Sequence, residues 1–118
     1  MANPPSRPFD TSRWEQALEE EARRRERERQ EVLTRALARL PAYFAGKRVA
    51  AAYLTGSVLR EGHFYAFSDV DIAVEGLEED YFRVMVELEE LLDRQVDLIE
   101  LERCRFAETI RERGWRVI

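Results

Sequence analysis

Cysteine is almost missing from this 118-residue chain, and the one thiol, Cys104, excludes an internal disulfide framework and a cysteine-based zinc site. Glycine and proline are sparse, at 5 and 4 residues, and no internal repeat or low-complexity linker interrupts the sequence. No long apolar run exists either. The longest, Val49 to Val58, falls far short of the ~20 residues a transmembrane helix needs. Met1 to Pro8 is polar and proline-rich, with no apolar h-region of a signal peptide. These absences predict a soluble cytoplasmic protein with no membrane role.

What is present suits one ordinary domain. Hydrophobic residues make up 45% and charged residues 36%, too apolar for disorder. A chain this long buries roughly 65% of its unfolded surface, enough for a real core. The net charge of −5 is unevenly shared, +3 over residues 1–48 and −8 over residues 49–118. An acidic chain gains no general attraction for polyanions, so nucleic acid is not expected as a direct partner. An acidic domain that handles phosphates needs metal ions to bridge the charges.

The proline-rich start predicts a flexible arm over residues 1–11. Ser12 followed by Glu15 has the form of a capping box, which predicts a long N-terminal helix from about Arg13. Trp14, Ala17, Leu18 and Ala22 form one apolar stripe and Val32, Leu33, Ala36, Leu37 and Leu40 another. Between them the run Arg23 to Glu31 is charged nearly all round. Its interleaved acids favour a solvated helix, projecting or covering a partner, over a nucleic-acid arm. Four pairs, Glu19–Arg23, Glu20–Arg24, Glu21–Arg25 and Glu31–Arg35, are each worth ~0.2–0.5 kcal/mol. Pro41 is expected to break or restart this helix and Gly46 to end it.

From Val49 the period changes. Val49–Thr55, Asp69–Val74 and Gln95–Leu101 read as strands. Asp80 caps a helix through Phe82, Val84, Met85, Leu88, Leu91 and Leu92, and a last helix from about Arg103 ends at Gly114. The order α-β-β-α-β-α predicts an α/β (α+β) domain with one small mixed sheet flanked by helices.

Three features carry chemistry. Gly56-Ser57 stands where a buried strand turns into a short helix, Val58 to Arg60. Asp69 and Asp71 lie two apart on the next strand and therefore aim to one face, ~6.6 Å apart along the chain. Asp97 sits within the third strand. Like charges at ~4 Å cost about 4 kcal/mol at an effective dielectric of 20. Such a cluster either protonates or takes a divalent cation, and oxygen-only ligands suit Mg²⁺ or Mn²⁺. Gly56 lets backbone approach a phosphate, and Ser57 offers a hydroxyl and an N–H to an anion. A phosphate site beside a carboxylate-held metal points to a nucleoside triphosphate. The chain has neither GxxxxGK[ST] nor GxGxxG, which excludes a P-loop and the dinucleotide fingerprint.

The run Gly56-Ser57-Val-Leu-Arg60-Glu-Gly62 followed by Ser68-Asp69-Val-Asp71-Ile-Ala-Val74 resembles the signature of DNA polymerase beta-like nucleotidyltransferases. Within them it is similar to the minimal nucleotidyltransferase (MNT) group, whose pattern is Gly-Ser, ten residues, then Asp-x-Asp. Here eleven residues, Val58 to Ser68, intervene, with the extra one in the loop around Glu61. The likeness covers about residues 49–101 of a single nucleotidyltransferase domain over 12–118. It implies a mixed sheet flanked by helices, with two Mg²⁺ ions and ATP. It implies that Asp69, Asp71 and Asp97 hold the metals and that Asp97 activates the attacking hydroxyl. Gly56, Ser57 and Arg60 are the implied nucleotide-binding residues. Members of the group often pair with a HEPN-domain ribonuclease toxin and silence it by transferring AMP to a tyrosine. The rival readings are a catalytically silent antitoxin that only masks its partner, and a small-molecule (aminoglycoside-like) nucleotidyltransferase.

Among single residues, His63 reads as a surface loop histidine, Arg60 as a phosphate or carboxylate partner, and Cys104 as a small packed residue. Glu87, Glu89, Glu90 and Asp93 read as a solvated helix face, Trp14 and Trp115 as core or interface anchors. Trp14, Tyr43, Phe44 and Tyr53 together exceed the aromatic area a small sheet needs, which favours a partner surface.

Overall fold

A computed structural model describes residues 10–118. The order is α1 (Ser12–Ala45), β1 (Ala51–Thr55), a 3₁₀ turn (Gly56–Leu59), β2 (Val70–Glu75), α2 (Tyr81–Leu92), β3 (Val96–Glu100), a 3₁₀ turn (Leu101–Arg103), α3 (Ala107–Arg113) and β4 (Trp115–Arg116). The expected arm lies outside the described residues except for Asp10 and Thr11, which cap α1. The Asp10 carboxylate accepts from the Ser12 N–H at 3.0 Å, and the Thr11 hydroxyl donates to Glu15 at 2.9 Å. The helix thus starts one residue earlier than the Ser12–Glu15 spacing implies.

Pro41 neither breaks nor restarts α1. Its missing N–H and ring clash cost ~3 kcal/mol in a helix interior. Leu40 and Phe44, both fully buried, flank it and offset that cost at ~1.5–3 kcal/mol each. Only the C-terminal part of α1 reaches the core, through Val32, Ala36, Leu40 and Phe44. The first turns are open to solvent, with Trp14 65% exposed. Of the four expected ion pairs, Glu19–Arg23 is seen among the described residues, at 4.0 Å. Arg24 pairs with Glu21 instead, Arg25 lies over the Tyr65 ring, and Arg35 donates to the Leu92 carbonyl.

The sheet order is β3-β2-β1-β4, with β2 and β3 parallel and the other pairs antiparallel. The right-handed logic of a β-α-β unit requires a crossover between parallel neighbours, and α2 supplies it. Strand alternation splits the core in two. Ala52, Leu54, Val70, Ile72, Val74 and Leu98 face α1 and α2, while Ala51, Tyr53 and Ala73 pack with Ile110 of α3. The sheet is therefore sandwiched between helix layers.

Asp80 caps α2 as expected, accepting from the Arg83 N–H at 2.9 Å. The last helix begins at Ala107 rather than near Arg103, because the chain first makes the 3₁₀ turn that buries Leu101. β4 was not anticipated: two residues leave no readable period, and pairing with β1 alone creates it. Phe44 and Tyr53 belong to the core, and the Tyr43 hydroxyl donates to Glu87 at 2.8 Å. Glu87 and Glu89 are thus not simply solvated, since Glu89 accepts from the Val96 N–H at 3.0 Å. Trp14 and Trp115, 65% and 55% exposed, are not core anchors. Cys104 packs against the smaller cluster, as read.

Candidate active site

The site begins where β1 ends. Thr55 is extended, and Gly56 turns the chain with φ of +81°, a region that only glycine enters without strain. A Cβ on Gly56 would lie 2.0 Å from Oδ2 of Asp71, so the carboxylate rests against the bare Cα. Val58, fully buried, anchors the turn from below. The Arg29 guanidinium, held by Glu26, donates to the Val58 carbonyl at 2.9 Å. Part of the charged run on α1 is thereby a brace under this turn rather than only a solvated helix face.

Register brings the acids together. In the antiparallel pair Thr55 stands opposite Asp71, and in the parallel pair Asp71 stands opposite Asp97. Neighbouring strands are ~4.8 Å apart, so Asp71 and Asp97 point side by side to the α3 face. β2 starts at Val70, which leaves Asp69 one residue ahead of the strand rather than on it. Asp71 is half-buried; Asp69 and Asp97 are exposed. Burial, then the charges of Asp97 and Asp69, push the Asp71 carboxyl up to about 6. Burial and the Asp97 and Glu100 charges also raise Tyr81, whose hydroxyl donates to the Leu98 carbonyl at 2.5 Å.

Hard oxygen donors of this charge match Mg²⁺ or Mn²⁺ in chemistry. Among the described residues, no group of three or more His, Cys, Asp or Glu side chains is arranged to hold a metal ion as it stands. The backbone register fixes where the carboxylates originate. Their final approach depends on the charge placed between them, because uncompensated carboxylates repel.

The eleven-residue segment after Ser57 passes through an exposed turn at residues 60–63. The His63 N–H donates to the Arg60 carbonyl at 3.2 Å, and Gly62 takes φ of +83°. His63 is exposed, as read. Beyond it a residue that the sequence did not single out, Arg94, pins the loop leading into Asp69. Its guanidinium donates to the carbonyls of Ser68, Tyr65 and Ala66 at 2.9, 2.8 and 3.0 Å, pairs with Glu28 at 2.7 Å, and lies 4.3 Å over Phe64. Nothing local marks an arginine in a helix–strand loop for this role. Arg94→Ala is expected to lower stability by about 2–4 kcal/mol in urea melts, since it orphans three carbonyls and Glu28. An unchanged midpoint would show that the loop holds itself.

A second guanidinium missed by sequence reasoning is that of Arg113. A cavity of about 390 Å³ beside the turn is lined by Thr55, Gly56, Leu59, Arg60 and Arg113. The structure thus brings together Gly56, Asp71 and Asp97, with Ser57 next in the turn, Asp69 at the edge and Arg60 facing the cavity.

Sequence comparison then decides the family: the profile described as polymerase beta, nucleotidyltransferase, matches residues 39–118. The chain belongs to the polymerase beta nucleotidyltransferase family. Every residue of the Gly-Ser and Asp-x-Asp motif, and Asp97, falls inside the matched span. No curated protein matches the chain. A crystal structure of the toxin–antitoxin complex MntA–HpeT, bearing two aspartate-to-glutamate substitutions, is similar at a TM-score of 0.55 and 19% identity, over 70% of this chain and 71% of that one. A toxin–antitoxin structure with AMP-PNP is similar at a TM-score of 0.52 and 22% identity, over 71% and 72%. These likenesses show that the nucleotidyltransferase shares its fold with those proteins. The long α1 and the four-stranded mixed sheet bear out the expected fold class. No helix among the described residues is long and apolar enough to cross a membrane.

Proposed function

We propose that this nucleotidyltransferase is a cytoplasmic, Mg²⁺-dependent protein adenylyltransferase that transfers AMP from ATP to a tyrosine of a HEPN-type toxin and so acts as its antitoxin. The observation that carries the reading is the placement of Asp71 between Asp97 and the bare Cα of Gly56, where burial and then the charges of Asp97 and Asp69 raise its carboxyl. Support for the partner comes from the toxin–antitoxin proteins that share the fold, and for the nucleotide from the AMP-PNP in one of them. We take residues 12–118 as one domain.

Asp69, Asp71 and Asp97 would hold the metal ions, which when bound screen the α-phosphate charge and ease departure of pyrophosphate. Gly56 lets the backbone approach the triphosphate, and Ser57 donates its hydroxyl and N–H to phosphate oxygen. The Asp97 carboxylate accepts the proton of the tyrosine hydroxyl. The phenolic oxygen then bonds to the α-phosphorus, and the bond from that phosphorus to the bridging oxygen of the β-phosphate breaks, releasing pyrophosphate. Tyrosine leaves as its AMP ester.

Incubation with Mg²⁺, ATP labelled in the α-phosphate and a candidate HEPN-domain toxin should move label onto that toxin. Chelation of Mg²⁺ should abolish transfer. If toxin activity is neutralised without any label, and a double variant Asp69→Asn, Asp71→Asn still neutralises, the chain is a masking antitoxin and the enzyme reading fails.

A further inference from the structure

We propose that Arg113, at the C-terminal end of α3, is a nucleotide-binding residue that works with Arg60 as a two-guanidinium clamp for the β- and γ-phosphates of the nucleoside triphosphate. The inference rests on the nucleotidyltransferase reading and adds to it the residue that receives the leaving pyrophosphate.

Placement is the first argument. Arg113 lies 57 positions from Gly56 in sequence, yet both line the same cavity of about 390 Å³ with Arg60. The backbone enforces this. α3 ends at Gly114, where a Cβ would lie 3.2 Å from the Leu54 carbonyl, so the helix end sits tightly on β1. The next residue, Trp115, pairs with Leu54 in β4, which holds Arg113 beside the Thr55–Gly56 turn.

Charge is the second argument. Residues 49–118 carry a net −8, and cations there are scarce. Arg111, on the same helix, is engaged elsewhere, pairing with Glu75 at 3.0 Å and Glu108 at 2.7 Å. Among the described residues no ion pair engages Arg60 or Arg113. Two unpaired guanidiniums on one small cavity repel each other unless an anion lies between them. A triphosphate matches both ends of the site, with its α-phosphate at the acids and its terminal phosphates at the arginine forks, whose planar donors suit phosphate oxygens. In the larger groove along α1, lined by Arg27, Arg35 and Arg39, two of the three arginines are occupied. Arg35 and Arg39 there already donate to the Leu92 and Leu91 carbonyls that end α2.

The test is calorimetric titration of the full chain with ATP, AMP and inorganic pyrophosphate, each with Mg²⁺. Arg113→Ala should weaken ATP and pyrophosphate about tenfold or more while leaving AMP unchanged, as expected for loss of a charge-assisted bond to the terminal phosphates. Arg113→Lys should fall between, keeping charge without the fork. Arg105→Ala, an equal charge change on an exposed residue outside the cavity, should bind like the wild type. Arg113 is exposed, so melting temperatures should not move. Equal affinity of the Arg113→Ala and wild-type proteins for ATP and pyrophosphate overturns the clamp. Wild-type binding of ATP with the Arg113 effect, but no transfer to any acceptor, overturns the proposed activity and leaves the clamp standing. Failure of the wild type to bind ATP overturns both.

Discussion

Replacing Asp71 with asparagine is expected to abolish nucleotidyl transfer, by about 10³-fold, while making the protein more stable. The carboxyl is pushed up to about 6 by burial and by the charges of Asp97 and Asp69, against 3.8 for an ordinary aspartate. A folded-state value above the unfolded one means that the folded state holds the proton more tightly. Stability therefore falls as pH rises from about 4 to about 6, and the whole penalty is present above that window. Asparagine has the shape of the protonated acid and carries no charge. Because the group is only half-buried, solvent screening reduces the gain to about 1–2 kcal/mol at pH 7.5. For a chain of this size that is a rise of roughly 3–8 °C in melting temperature. Added Mg²⁺ should raise the melting temperature of the wild type by binding the folded state, and that of the variant far less. Urea melts at pH 5 and 7.5, set beside transfer assays, test the whole pattern. A loss of stability at pH 7.5 would identify Asp71 as a structural hydrogen-bond acceptor and remove the main support for the active site. The stability that the site gives up is the ordinary cost of gathering like charges for a cation.

Gly56→Ala should be nearly as damaging to activity, about 10²-fold or more, and unlike Asp71→Asn it should also destabilise. The new methyl would stand 2.0 Å from Oδ2, 2.9 Å from Cγ and 3.2 Å from Cβ of Asp71. Rotating the carboxylate relieves the first contact but not the last, so the side chain must leave the position opposite Asp97. A φ of +81° adds backbone strain of about 1–2 kcal/mol for alanine. Combining Gly56→Ala with Asp71→Ala separates the two causes. With the carboxylate gone, the glycine substitution should cost only the strain, and the non-additive remainder measures the clash. Full activity in Gly56→Ala would mean that Asp71 does not work from where it rests.

Much of this site is legible in one dimension because its logic is local. A glycine and serine closing a buried strand, then aspartates two apart, are short-range statements about turns and pleats, and all but Asp69, which precedes β2, fall where the periodicities put them. Asp97 was readable as an acid in an apolar strand, but its opposition to Asp71 depends on β3 adding parallel to β2 through α2. The continuity of α1 through Pro41 was not readable, since a helix rule cannot know that Leu40 and Phe44 are both fully buried. β4 is two residues long and exists only by pairing with β1.

By itself, then, the order of residues determined the three longer strands and the three helices, the sparse thiol chemistry and the acidic turn-and-strand motif, because each follows from backbone preference and side-chain type over a few positions. Tertiary structure alone decided that Arg94 would hold the loop before Asp69, that Arg29 would brace the turn, and that Arg113 would share a cavity with Arg60. Those arginines reach their partners across the fold, and a long cationic side chain looks the same in sequence wherever it lands. Its role is set by which carbonyl, carboxylate or empty cavity the packed sheet and helices place in front of it.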